Sequence, residues 1–177
     1  MTSKTTRILG TIANVMKQRV SVCLVASSLL LGLPSGAFSD SGTLTTFDVL
    51  GSVHTVVMSI NEEGAIAGFF VDPNPTSRGA WRGFLRGKQG TINTFAPPGA
   101  GIGPFDRTFA LSINEEGAIA GYHLGVDGEH GFVRDRHGTF TKIDVPGASS
   151  TAAGSINEEG AIAGSYSDAL GTPWVCA

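Results

Sequence analysis

The ten residues S-I-N-E-E-G-A-I-A-G occur three times without change, at residues 59–68, 112–121 and 155–164. Three identical decapeptides in a chain of 177 residues identify a protein built from internal repeats. Within each copy the Asn-Glu-Glu-Gly core is typical of a turn, since Asn114 can bond its own backbone and Gly117 can adopt a positive φ. The flanking residues alternate with the period of a β-strand, so each decapeptide predicts a β-hairpin.

A second hairpin follows each of the first two decapeptides, at residues 83–95 and 131–145, and both end in a Pro-Gly-Ala connector. Two hairpins give four short strands per unit, with units at residues 53–100, 108–148 and 152–177. The 25 glycines are about twice the usual share, which also favours an all-β protein rich in tight turns. The decapeptides are spaced by 53 and then 43 residues, the size of a propeller blade.

The two ends of the repeat region complement each other. Residues 42–52 align with residues 138–148, so a displaced fourth strand is expected at 43–49, while the last unit stops where its own fourth strand would begin. Pairing the two would close the sheet and cover an edge, whereas a chain that ends early would leave the edge open. The expected fold is therefore all-β, with three four-stranded units in a propeller-like or prism-like arrangement, and the N-terminal strand is a candidate to complete the last unit.

The combined pattern of S-I-N-x-x-G-x-I-A-G, then G-F-L/V-R, then a Pro-Gly-Ala connector resembles the HAF-type "probable extracellular repeat" family of exported bacterial proteins. The resemblance covers residue 43 to the C-terminus. It implies export and a propeller-like β repeat, and it brings no catalytic residues to transfer to this chain. The chain departs from the family pattern in having only three decapeptides and a curtailed final unit. Three sheets arranged as a prism, or two chains sharing one ring, are alternatives to a complete propeller.

Residues 1–37 have the features of an export signal. Four basic residues and no acidic one precede a largely apolar run at 20–33, which Pro34 and a small-residue segment terminate. As a helix these 14 residues would rise about 21 Å, less than the roughly 30 Å hydrocarbon core of a bilayer. We therefore expect a cleaved signal peptide followed by a β-repeat domain at 38–177, with an uncleaved anchor as the alternative. The corresponding location is secreted, periplasmic or cell-surface.

Removal of the signal leaves 8 basic and 15 acidic residues, a net charge of −7. An acidic surface disfavours nucleic acid and anionic membranes as partners. Of the two cysteines only Cys176 lies beyond the signal, so an internal disulfide is excluded in the mature chain.

Few side chains are candidates for catalysis or metal binding. The paired glutamates of each decapeptide, beginning at Glu62, Glu115 and Glu158, are expected as solvated turn residues rather than as acid–base or calcium groups. The four histidines lack the spacing of a metal site, and a Ser nucleophile motif is missing. The sequence therefore predicts neither a catalytic residue, nor a metal, nor a cofactor.

The longest insertion between strands is more informative, because function on repeat scaffolds tends to lie in loops that differ between units. The loop at 72–82 contains Arg78, Trp81 and Arg82. This set predicts a binding surface on which Trp81 stacks on a sugar ring or anchors a protein partner, unless the ring simply packs beneath its own loop. The weaker alternative is the group Asp127, Glu129 and His130 in the matching loop.

The expected function is that of an exported, non-catalytic β-repeat protein used for surface recognition or envelope structure. Its partner would be a glycan or a surface protein, with no membrane span after signal cleavage, and it could form a homo-oligomer. The alternatives are a secreted hydrolase or lyase acting on polysaccharide and a curtailed remnant of a longer repeat protein.

Overall fold

The computed structural model describes residues 44–72, 79–100, 106–125 and 127–177. The chain divides into two compact units, residues 1–48 and 49–177. In the first unit the described residues, 44–48, form neither strand nor helix. The described residues of the second unit form eleven strands in one open mixed sheet and contain no helix, which confirms the all-β class. In these described ranges, no helix has the length and apolar character needed to span a lipid bilayer.

The strands fall into three groups that follow the three copies of the decapeptide. The first group is β1 (His54–Ile60), β2 (Ile66–Val71), β3 (Trp81–Arg86) and β4 (Ile92–Phe95). The second is β5 (Arg107–Ile113), β6 (Ile119–Gly125), β7 (Gly128–Arg134) and β8 (Phe140–Ile143). The third is β9 (Ser150–Ile156), β10 (Ile162–Ser167) and β11 (Pro173–Cys176).

Strands within a group pair in the antiparallel sense with their sequence neighbours. Successive groups are joined by short parallel contacts, through Trp81 opposite Arg107 and Glu129 opposite Ser150. The strand path runs from β1 to β11, with β4 and β8 paired outside it, and it does not close on itself.

Each decapeptide forms the predicted hairpin turn. In the second copy Gly117 N donates to Asn114 O over 3.1 Å, and Gly117 has a φ of 80°. The Asn114 side chain closes the same turn, because its Oδ1 accepts a hydrogen bond from Ala118 N over 2.9 Å. Asn61 and Asn157 make the equivalent bond to Ala65 and Ala161.

The last glycine of the decapeptide leaves space for an aromatic side chain of the core. Gly121 lies opposite Phe132, and a Cβ built on Gly121 would come within 2.0 Å of the carbonyl oxygen of Phe109. The Phe132 ring fills the space above the glycine and is almost fully buried, packed with Ile113 and Ile119. Gly68 and Phe84 form the same pair in the first group, so the repeated glycine is required by the packing of a carbonyl on one side and a ring on the other.

The prediction of a displaced fourth strand at 43–49 is wrong for its described part, because residues 44–49 form no strand. The underlying alignment holds from Val49 onward, where Ser52 N donates to Val49 O as Ala148 N donates to Val145 O. Val49 N likewise donates to Thr55 Oγ1 as Val145 N donates to Thr151 Oγ1. A strand requires a neighbour for its backbone hydrogen bonds, and residues 44–46 are instead exposed. The sheet of the described strands is open, and the predicted closed ring is not confirmed.

Candidate functional site

The described residues that differ most in chemistry between the three groups lie along one edge of the sheet. An edge here means one end of the strands, not an outer strand of the sheet. The decapeptide turns lie at one such edge. The end of β2 and the start of β3 lie at the opposite edge, as do those of β6 and β7 and of β10 and β11, because the strands are antiparallel. We call this second edge the loop edge.

Three residues hold the same register position on the loop edge. Arg82 pairs with Phe70, His130 with His123 and Trp174 with Tyr166, each two residues before the position opposite the decapeptide glycine. The position therefore presents a guanidinium, an imidazole and an indole in turn, on one common backbone frame.

An aspartate from the preceding connection lies against each of these three side chains. Arg82 Nε donates to Asp72 Oδ2 over 2.7 Å, and Trp174 Nε1 donates to Asp168 Oδ2 over 3.3 Å. His130 Nε2 lies 3.3 Å from Asp127 Oδ2 without a hydrogen bond. The three Asp-supported side chains Arg82, His130 and Trp174 are here called the edge triplet.

Two of these aspartates are stabilised in the charged form. Backbone N–H groups, first that of Thr172, hold the pKa of Asp168 below its usual value, and the Trp174 indole adds to this effect. The pKa of Asp127 is lowered mainly by a hydrogen bond within its own residue. An ionised carboxylate is a strong acceptor, so Asp168 orients the Trp174 indole that donates to it.

Trp81, a predicted binding residue, begins β3 and belongs to a row of aromatic side chains. Its ring centroid lies 5.3 Å from that of Phe69 and 5.6 Å from that of Phe109. Phe109 in turn stacks on Tyr122 at 4.8 Å. The guanidinium carbon of Arg107 lies 6.0 Å from the Trp81 centroid. The ring is thus partly buried across two strand groups, and Arg78, the third predicted residue, lies outside the described residues.

His130, the histidine of the edge triplet, lies next to a second, buried histidine. His130 Nδ1 lies 3.1 Å from both carboxylate oxygens of Asp144, which also accepts from Lys142 Nζ over 2.9 Å. His123 is only 4% exposed, and its ring centroid lies 5.6 Å from that of His130. Burial, followed by the neighbouring His130, lowers the pKa of His123 and favours its neutral form. Sequence reasoning missed Asp144, because it belongs to a repeated motif that was interpreted as scaffold.

The paired glutamates do more than solvate the turns. Glu62 N donates to Glu115 Oε1 over 2.7 Å, and Glu115 N donates to Glu158 Oε2 over 2.8 Å. The first glutamate of the second and third copies therefore binds the backbone of the copy before it, with Glu115 half-buried and Glu158 exposed. The two carboxylates serve the contact between copies and are not gathered in a pocket.

The described ranges contain no group of three or more metal-ligating side chains close enough together to hold an ion. Comparison with protein-family models, with curated proteins and with solved structures finds no match to this chain. The edge triplet and the aromatic row are therefore the features from which a function can be argued.

Proposed function

We propose that this chain is an exported, non-catalytic β-repeat protein whose loop edge recognises a glycan at a cell surface. The three strand groups would be propeller-like or prism-like units, as in the HAF-type extracellular repeat that the sequence resembles. Envelope structure is the other use of the same scaffold.

The edge triplet is the observation that carries this proposal. One register position, supported each time by an aspartate, presents Arg82, His130 and Trp174. A constant frame with variable side chains is what a recognition surface built on repeats requires. Carbohydrates are bound through hydrogen bonds from oriented polar groups and through the flat faces of aromatic rings.

Trp174 is the strongest single contact for such a ligand. The residue is 51% exposed, and the Nε1–H bond to Asp168 fixes the ring plane. Trp81 would contribute less directly, because its ring already packs against Phe69 and Phe109. Arg82 keeps further N–H donors beyond the one bound to Asp72.

The test is binding of the labelled full-length protein to an array of immobilised oligosaccharides. We expect Trp174→Ala to weaken the selected interaction about tenfold or more, since an exposed aromatic anchor is lost. Met58→Ala in β1 removes an apolar side chain of similar exposure, 45% against 51%, from outside the triplet and should leave binding unchanged. Identical array profiles for the wild type and the Trp174 variant would contradict the proposal.

A polysaccharide hydrolase or lyase is the second candidate, and Glu129 is the observation that favours it. Burial raises the pKa of this carboxyl, which suits a general acid. Glu129 neighbours His130, which is bound to Asp144. Release of reducing ends from a polysaccharide by the wild type, abolished by Glu129→Gln, would establish catalysis in place of simple recognition.

A further inference from the structure

The contact between successive copies of the decapeptide is made by the same groups each time. Asn61 Nδ2 donates to Asn114 O over 3.1 Å, and Asn114 Nδ2 donates to Asn157 O over 3.0 Å. The glutamate bonds described above run alongside. Ile113 N and Ile156 N donate over 3.3 Å to the serine hydroxyl of the preceding copy, Ser59 and Ser112 respectively. Each contact between successive copies, here called a joint, thus consists of the same three kinds of hydrogen bond.

An apolar contact completes the joint. Ala67 of the first copy packs in one cluster with Ala110 and Ile113 of the second group. Ala120 of the second copy packs in the same way with Ala153 and Ile156 of the third. Every unit therefore has two different faces, one containing the alanines of the decapeptide and one containing its first isoleucine.

Each end of the array presents one of these faces without a described neighbour. Ile60 is 45% exposed, while the equivalent Ile113 and Ile156 are 6% and 8% exposed. We call the surface formed by Val57 and Ile60 the head face. At the other end Asn157, Ala161 and Ala163 are exposed and form the tail face, although the corresponding residues of the first two copies are buried or half-buried.

We propose that a second copy of this chain docks on these surfaces, with the tail face of one copy against the head face of the next. The two faces match because each reproduces one half of a joint that is already formed twice within the chain. Asn157, Glu158 and Ser155 carry the amide, backbone N–H and hydroxyl that Asn114, Glu115 and Ser112 use internally. Groups that fit one another inside the chain fit one another between chains.

The interface is heterologous, since two different surfaces meet. Such an interface gives rings when the rotation closes and open chains when it does not. A symmetric interface would instead bring one face against itself. The proposal does not depend on the glycan function, because the two faces lie on other residues than the edge triplet.

The experiment uses two variants of the full-length chain that each block one face, Ile60→Arg and Ala163→Arg. Molar mass is measured by light scattering after size-exclusion chromatography, from low to high micromolar concentration. We expect the wild type to associate and each variant alone to be monomeric. An equimolar mixture should form a dimer, because the intact tail of the Ile60 variant can dock on the intact head of the Ala163 variant.

Controls separate loss of the interface from loss of the fold. Thr141→Arg places the same charge at an exposed position of β8, in the middle group, and should associate like the wild type. Far-UV circular dichroism checks that each variant is folded, and Ile60→Glu with Ala163→Glu provides a second pair. A monomeric wild type, a variant that still associates alone, or a mixture that stays monomeric would each overturn the proposal.

Discussion

Asn114 accepts a hydrogen bond from Ala118 N through Oδ1 and donates one to the carbonyl of Asn157 through Nδ2. The side chain must therefore supply a donor and an acceptor at the same distance from the backbone. Aspartate has no donor when ionised, and serine does not extend far enough to do both. This double use accounts for asparagine at the third position of the first two decapeptides, while Asn157 makes the Oδ1 bond to Ala161 N.

His123 makes a pH-dependent contribution that a single substitution can isolate. Its lowered pKa means that the unfolded chain binds a proton at a higher pH than the folded chain does. The free energy of unfolding should therefore fall as the pH drops below about 6.5, the ordinary histidine value. The charged or titratable groups facing His123 are His130, Asp127, Lys142 and Asp144.

We predict that His123→Phe reduces this acid-induced loss of stability. Phe70 occupies the equivalent buried position, so the change should alter stability by less than about 1.5 kcal/mol at neutral pH. Urea denaturation at about pH 7.5 and about pH 5.5 measures the difference. His137→Gln, at an exposed turn, serves as the control and should retain the pH dependence of the wild type. An equal loss of unfolding free energy between the two pH values for His123→Phe and the wild type would contradict the prediction.

At the scale of the strand, the decapeptide hairpin combines a bulge with a glycine. The register of β5 and β6 shifts between Ala110 and Ser112, which brings the Phe109 carbonyl against Gly121. The same irregularity occurs in β1–β2 and β9–β10. Bulges of this kind are positional features that a side chain at the glycine would disrupt.

We predict that Gly121→Ala destabilises the protein by about 3 kcal/mol, because the new methyl group would meet backbone that cannot move away. The matched control is Gly154→Ala in β9. There the nearest atom to an added Cβ is the Ala163 carbonyl oxygen at 3.4 Å, an ordinary contact. Denaturant midpoints measure the stability of both variants. A similar loss of stability for the two substitutions would show that the explanation is wrong.

The hairpins were predictable from the sequence because their signals are local. Asn114 and Gly117 define a turn within a few residues, and alternating apolar residues define the strands beside it. The contacts between copies were not predictable in the same way. Glu62 bonds to Glu115, 53 residues later in the chain, and no periodic pattern distinguishes such a carboxylate from a solvated one.

The candidate site was predictable only in part for a similar reason. Trp81 and Arg82 are conspicuous in the longest loop, and Arg82 does lie on the loop edge. His130 precedes G-F-V-R as Arg82 precedes G-F-L-R, so the equivalence of these two residues follows from the repeated motif. Trp174 lacks the motif and is equivalent to Arg82 only in strand register, and the aspartate partners stand at different sequence distances from the three residues. Equivalence of this kind emerges from pairing, not from spacing along the chain.

At the scale of the molecule, the three groups differ in how many neighbours stabilise them. The second group has a packed partner on both sides, through Ala110 to the first group and through Ala120 to the third. Among the described residues the third group packs against one neighbouring group, and its Val175 is highly exposed. Stability in arrays of this type depends on nearest-neighbour interfaces.

We therefore predict that amide hydrogen exchange is slowest in β5, β6 and β7 and at least about tenfold faster in β10 and β11. Exchange followed by mass spectrometry of peptides resolves the groups. A uniform rate across all eleven strands would indicate one cooperative core and would contradict this ordering.

The joint made by Asn114 and its counterparts has a consequence for how such a chain can change its length. Every unit carries both halves of the same connector, so an additional unit inserted by gene duplication would bind its neighbours without a compensating mutation. The number of units can therefore change without any change in the residues that join them. The length of the array and the side chains exposed on it can then evolve independently.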